Sequence, residues 1–293
     1  MLSAVQESFV AAIRSPPPEV IAARRRLVER AEHLASKFEA NAAAACGDAG
    51  ANLPAELDVV VAGSGFLSNY FLGVYSIVSR LPTKLVRFSG ASSGAQTAFQ
   101  CLLTGEDEAI DSHLCYGHLH GRESIVRQMY TSDRCWKAVA SDVVSRHANN
   151  LPALDGRMFV SVTQLRLPRP KNVLYSDFSA SPTLAAEVFY ATGAPMCTCD
   201  GHWPCTDGGA TLNEPRFADG ARPMLLVRPT KSGLPLRMAV GFDMEQGVRA
   251  IEAGQDAAAA FFAEYAGIHA DAAQLGRAPA HASAAGALQV TFA

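Results

Sequence analysis

The chain has 293 residues, 49% apolar and 18% charged, enough apolar surface to bury a substantial core. Its formal net charge of −3 and pI near 6.2 give nucleic acid no electrostatic footing, and no basic stripe with interleaved aromatics occurs. No apolar run approaches the roughly 20 residues that span a bilayer, and seven scattered cysteines suit reduced thiols in the cytosol better than a disulfide framework.

Glu7 and the single early Arg14 argue against a targeting leader. Pro16-Pro17-Pro18 punctuates the start, and Glu19 to Ala45 reads as one amphipathic helix with Leu27, Ala31, Leu34 and Phe38 at helical spacing. Its basic cluster, Arg24, Arg25, Arg26 and Arg30, suits a solvated face on a packing helix or contact with an anionic lipid surface. Gly47 to Pro54 is a linker, and from Leu57 short apolar runs alternate with longer amphipathic ones, the texture of an α/β domain. The pattern predicts a strand at Leu57 to Ala62, a helix at Leu67 to Arg80, a strand at Lys84 to Phe88 and a helix from Ser93 to Leu103. A further helical stretch runs from Glu106 to Met129, followed by strands at Met158 to Leu165 and Asn172 to Tyr175 and a helix at Pro182 to Thr192. After a Cys- and Gly-rich loop come a strand at Met224 to Val227 and a helix at Gln255 to Tyr265. The Ala-, His- and Gly-rich tail reads as disordered. The expected division is a helical extension and linker over 1–55, an α/β domain over 56–266 and the tail over 267–293.

Chemistry concentrates in three places. Gly90-Ala91-Ser92-Ser93-Gly94 sets a serine between two glycines, after a strand pattern and before a helix pattern, the layout of a nucleophile elbow. Upstream, Val59-Val60-Val61-Ala62 runs into Gly63-Ser64-Gly65-Phe66-Leu67, a glycine loop between strand and helix. A dinucleotide fold would want a third glycine where Ser68 stands and an acid ending the next strand, which instead ends in Ser89 and Gly90. In an acyl hydrolase, backbone N–H groups of Gly63, Ser64 and Gly65 together with that of Ser93 receive the oxyanion. The third place is Asp207-Gly208-Gly209, with Asn213 and Pro215 following; the glycines let the chain turn so that the carboxylate points into a crowded site, although an Asp-Gly turn is also ordinary.

Taken in order, these motifs resemble the patatin-like phospholipases, closest to the branch with adipose triglyceride lipase and adiponutrin. Ser176-Asp177-Phe178-Ser179, Leu184-Ala185-Ala186-Glu187, Ala191-Thr192-Gly193-Ala194-Pro195, Val227-Arg228-Pro229 and the helix from Gly254 to Phe262 are similar too, so the likeness covers roughly Leu57 to Tyr265. The resemblance implies a patatin-like three-layer α/β fold, with a mixed central sheet flanked by helices and a helical N-terminal extension. It implies a Ser-Asp dyad, Ser92 as nucleophile and Asp207 as its direct base, with no histidine and no cofactor or metal. The implied activity is lipid ester hydrolysis of the phospholipase A or acylglycerol lipase type. Acyl transfer through the same acyl-enzyme and a catalytically weak lipid-binding scaffold are the alternatives. The implied partner is a lipid ester, with a cytoplasmic chain in peripheral contact with membranes or lipid droplets. Ser68 departs from the family's last loop glycine, and Leu67 stands where many members carry arginine.

Other residues allow further readings. Cys197, Cys199, His202 and Cys205 offer four metal ligands in a tight spacing, or a redox-labile thiol pair, or plain loop cysteines. His113, His118 and His120 precede the acid, whereas a Ser-acid-His order would put the histidine later, at His269 or His281 in the tail. Phe66, Leu67, Tyr70, Phe71 and Phe99 suit an acyl channel or plain core.

Overall fold

The run Leu57-Asp58-Val59-Val60-Val61 lacks polar alternation, the pattern of a strand covered on both faces, and it forms the middle of the sheet. The computed structural model describes residues 4–46, 53–166, 168–191, 197–199, 203–267 and 286–291. In it β1 (Glu56–Val61) pairs in parallel with β2 (Lys84–Ala91) on one side and β7 (Met224–Val227) on the other. β2 pairs in parallel with β3 (Met158–Gln164), and β3 takes both β4 (Lys171–Tyr175) and β6 (Trp203–Asp207) antiparallel. β5 (Cys197–Cys199) adds to β6, and β8 (Leu288–Thr291) adds antiparallel to β7, giving an eight-stranded mixed sheet.

The fold is therefore α/β with a mixed sheet flanked by helices, as expected. Val59, Val61, Phe88, Leu225 and Val227 join the main core, which is shared with the helices, whereas Val60, Met224 and Leu226 face the other way and pack with Phe217. Asp58, buried on β1, is matched by Arg87, whose backbone N–H and guanidinium both donate to its carboxylate. The same guanidinium donates to Asp219 at 2.6 Å and lies 4.1 Å over the Phe217 ring, which ties the segment after the acid turn to the sheet.

The helices are α1 (Ala4–Arg14), α2 (Pro18–Cys46), α3 (Asn69–Val78), α4 (Ser92–Thr104), α5 (Glu106–His120), α6 (Ile125–Arg146), α7 (Pro182–Ala191) and α8 (Met244–Tyr265). α3 and α8 touch backbone to backbone: a Cβ on Gly73 would fall 1.9 Å from the Ile251 carbonyl oxygen, and one on Gly254 would fall 2.0 Å from that of Tyr70. That contact anchors the helix leaving the glycine loop.

Several elements depart from the sequence-based expectation, among them β5 and β6, which form where the sequence reads as a Cys- and Gly-rich loop. α1 precedes the prolines and buries Phe9, Val10 and Ile13. The single helix expected over Glu106 to Met129 is two, because the chain turns at Gly121 and restarts at Ser124, whose hydroxyl accepts from the Arg127 N–H. α8 begins eleven residues before Gln255, fixed by a capping box in which Asp243 and Gln246 satisfy each other's backbone donors. The tail is not structureless throughout: β8 supplies the partner that the exposed edge of β7 needs.

α1 and α2 belong to the main core rather than standing apart from it. Val20, Ala23, Leu27, Ala31, Phe38 and Ala42 of α2 lie in one hydrophobic cluster with the sheet and α8. Arg30 donates to Asp256 at 2.7 Å, and Arg24 pairs with Asp111 of α5. Burial pushes the Asp111 carboxyl up to about 6, against the pull of Arg24. A folded pKa above the unfolded one makes the ionised form costly, so stability present at low pH is lost as pH rises through about 6. Replacing Arg24 with Gln removes the guanidinium that offsets this cost. Urea unfolding is expected to show a loss of about 1–3 kcal/mol at pH 8 and a much smaller one at pH 4.5.

Candidate active site

The site forms where two strands run into each other on one edge of β3. β4 covers one edge of β3 from Val160 to Gln164, so β2, paired over Met158 to Ser161, and β6, paired over Val162 to Gln164, must share the other. β2 runs parallel to β3 and β6 antiparallel, so their C-terminal ends meet. Ala91 lies opposite Ser161, and Asp207 lies opposite Val162, the next residue. Ser92 follows Ala91 directly. The register thus brings together two residues far apart in sequence, and the Ser92 Oγ–H donates to Asp207 Oδ2 at 2.5 Å.

Ser92 has φ +53°, and among the described residues no other non-glycine residue has positive φ. Such a conformation costs an L-residue energy and persists only when surroundings impose it. α4 starts at this residue, so the serine sits on a strand-to-helix turn at the positive end of a helix. Glycines of the elbow and of the upstream loop are dictated by contact. A Cβ on Gly94 would come within 2.6 Å of the Ala62 carbonyl oxygen, and one on Gly63 within 2.6 Å of Ser92 Cβ. The glycine loop is therefore pressed directly against Ser92.

Both carboxylate oxygens of Asp207 are engaged: Oδ2 by Ser92 and Oδ1 by the Gly209 N–H at 2.7 Å. Burial raises its pKa above the usual aspartate value, while these two hydrogen bonds pull it back. The turn carrying the acid is held from β3. Thr163 Oγ1 donates to the Asp207 carbonyl at 2.9 Å, and Ser161 Oγ donates to that of Leu212 at 3.1 Å. Asn172 Nδ2 donates to Ser161 Oγ at 2.8 Å and to Thr211 Oγ1 at 3.0 Å. These supporting residues escape motif reading, although Ser161 and Thr163, two buried hydroxyls at period 2 in an apolar strand, were the legible signal.

Of the expected oxyanion donors, Gly63 lies against Ser92 and Ser64 against Ser93, and the N–H groups of both are occupied. The Gly63 N–H donates to Asn213 Oδ1 at 3.1 Å, and the Ser64 N–H donates to Ser93 Oγ at 3.3 Å. The Ser93 N–H lies in the first turn of α4, where helical geometry leaves backbone donors without an intrahelical acceptor. Gly65, at φ +57°, heads the 3₁₀ turn Gly65–Ser68. Asn213 thus links the glycine loop to the turn carrying the acid, and Ser93 has a side-chain contact as well as its backbone role.

The remaining candidates lie elsewhere. His113 is buried on α5 with its ring 5.1 Å from that of Trp136, and burial lowers its pKa to about 3, so it is neutral. His120 faces Glu123 and Cys135. His202, His269 and His281 lie outside the described residues, and among the described ones no histidine hydrogen-bonds Ser92 or Asp207. Cys197 sits opposite Cys205 in the β5–β6 hairpin, and the described residues hold no group of three or more His, Cys, Asp or Glu placed to bind a metal. Phe71 and Phe99 are buried in the main core, where Phe99 packs 5.1 Å from both Phe178 and Phe189; Tyr70 lies in the same core and Leu67 packs with Met238 and Ala250. Phe66 is partly exposed and stacks on Tyr116 at 4.7 Å. No helix among the described residues is long and apolar enough to cross a membrane. No family model matches the chain, and no curated protein matches it.

Proposed function

We propose that the chain is a serine acyl hydrolase of lipid esters that works through a Ser92-Asp207 dyad. The observation that carries this reading is the 2.5 Å hydrogen bond from Ser92 Oγ to Asp207 Oδ2 at a residue of φ +53°. A serine held off its relaxed backbone conformation, on a strand-to-helix turn, with its proton aimed at a carboxylate of raised pKa, has the parts of an activated nucleophile.

As Ser92 Oγ bonds to the ester carbonyl carbon, its proton passes to Asp207 Oδ2 and the carbonyl oxygen becomes an oxyanion. On this reading the backbone N–H groups of Ser93 and Gly65 receive that charge, and those of Gly63 and Ser64 would join if Asn213 and Ser93 Oγ gave way. Collapse expels the alcohol, which takes the proton from Asp207, and leaves an acyl-enzyme. Water then attacks the acyl carbon as Asp207 takes its proton; the carboxylic acid leaves and Ser92 regains its hydrogen. An acyl-accepting alcohol in place of water would make the same intermediate serve acyl transfer. The likeness of all three motifs to patatin-like phospholipases supports lipid esters as the substrate class.

A fluorophosphonate probe tests the reading. One adduct on the peptide containing Ser92 is expected, together with hydrolysis of phospholipid or acylglycerol substrates. An adduct confined to another serine, or no adduct and no hydrolysis, would favour the lipid-binding scaffold instead.

A further inference from the structure

Two segments that pack on each other, one of them against the glycine loop, carry exposed apolar side chains. One is the corner between α5 and α6, with Leu119, Ile125 and Val126, of which Val126 is 78% exposed; the other holds Leu236, 66% exposed. The segments meet. Gln128 Oε1 accepts from the Phe242 N–H at 2.9 Å, and a Cβ on Gly121 would lie 2.6 Å from Asp243 Cα. The second segment reaches the site, because the Ala239 carbonyl oxygen sits 2.0 Å from where a Gly65 Cβ would be. Across the site, Leu212 is 38% exposed on the turn carrying the acid. Exposed apolar side chains concentrated on two touching segments point to an interaction surface.

Charge selects the occupant. Arg122, Arg127 and Arg237 are exposed on the same two segments. Their acids are half-buried and engaged: Glu123 is shared between His120 and Arg127, and Asp243 caps α8 by accepting from the Gln246 N–H. On α2, Arg24 and Arg30 are turned into ion pairs with α5 and α8, and among the described residues of that helix the exposed Arg25 and Arg26 lie with no exposed aliphatic side chains of the kind the α5–α6 corner carries. Guanidinium groups beside protruding aliphatic side chains match a lipid surface: the aliphatics enter the acyl boundary while the cations pair with headgroup phosphates.

We propose that Leu119, Ile125, Val126 and Leu236, flanked by Arg122, Arg127 and Arg237, dock the protein on an anionic lipid surface and hold the glycine loop beside it. As a route for substrate to Ser92 this rests on the hydrolase reading.

Cosedimentation with vesicles, carried out in the Ser92→Ala protein so that no chemistry intervenes, tests it. Wild-type surface is expected to bind phosphatidylglycerol–phosphatidylcholine vesicles and to release them with rising salt. I125E/V126E and R122E/R127E/R237E are each expected to lose binding by about tenfold or more. With Ser92 restored, the same variants are expected to turn over a short water-soluble ester at the parent rate while vesicle hydrolysis falls. Unchanged vesicle binding in both variants, equal binding to pure phosphatidylcholine, or a dimer that dissociates in the variants would overturn the proposal. Lost vesicle binding with no ester turnover by any variant would uphold the surface and sink the hydrolase.

Discussion

Asp207→Asn is expected to lower kcat/KM for a soluble ester by about 10³ to 10⁴-fold, the range a positioned general base supplies. Asparagine keeps the shape and can still meet the Ser92 hydroxyl and the Gly209 N–H, but it cannot take the proton that the hydroxyl must lose. The pH profile separates this from a structural effect. Burial raises the Asp207 pKa, so the acid limb of kcat/KM in the parent protein lies above the usual aspartate range, with activity rising as the carboxylate ionises. That limb is expected to vanish in the variant. Stability moves the other way: a raised folded pKa makes ionised Asp207 a cost that grows as pH rises through it, so the asparagine protein gains stability over its parent toward neutral pH. A variant that keeps turnover within tenfold, or keeps the same acid limb, would remove Asp207 from the role of base.

Much of this site was legible because its parts have mechanical reasons to be glycine, serine or aspartate. Gly94 and Gly63 are forced by contacts of 2.6 Å, and Ser92 stands where β2 gives way to α4. What motif reading could not supply was the third dimension. Nothing in the chain announces that β6 ends against β2, since β6 lies in a stretch read as a loop, and its pairing with Val162 to Gln164 is a long-range event. Asn213 escaped a role for the same reason: a side chain that accepts from Gly63, 150 positions away, has no local signature. The misjudged helices have local explanations. The capping box of Asp243 and Gln246 was readable and marks the true start of α8, and Gly121 followed by Ser124 marks the break between α5 and α6. α1 was missed because three prolines drew the boundary after it, yet Phe9 and Ile13 are at the spacing of one buried helical face.

The backbone at Ser92 gives the second test, which compares two variants that both lack the hydroxyl. Ser92→Ala and Ser92→Gly are each expected to lose turnover by about 10⁴-fold or more, because no oxygen remains to form the acyl-enzyme. Their stabilities should differ in the reverse of the order usual for a helix, where alanine is favoured over glycine by about 1 kcal/mol. At φ +53° the Cβ of alanine crowds its own backbone, at a cost of roughly 1–2 kcal/mol that glycine does not incur. Removing Cβ also relieves the close seat of Gly63, whose own Cβ would lie 2.6 Å from that of Ser92. Thermal unfolding is therefore expected to rank the glycine protein above the alanine protein. On the hydrolase reading, the parent then holds its proposed nucleophile in a strained conformation, a trade of stability for reactivity. An alanine protein as stable as the glycine one would mean that the turn is unstrained, and the reactivity of Ser92 would have to rest on Asp207 and the glycine loop alone.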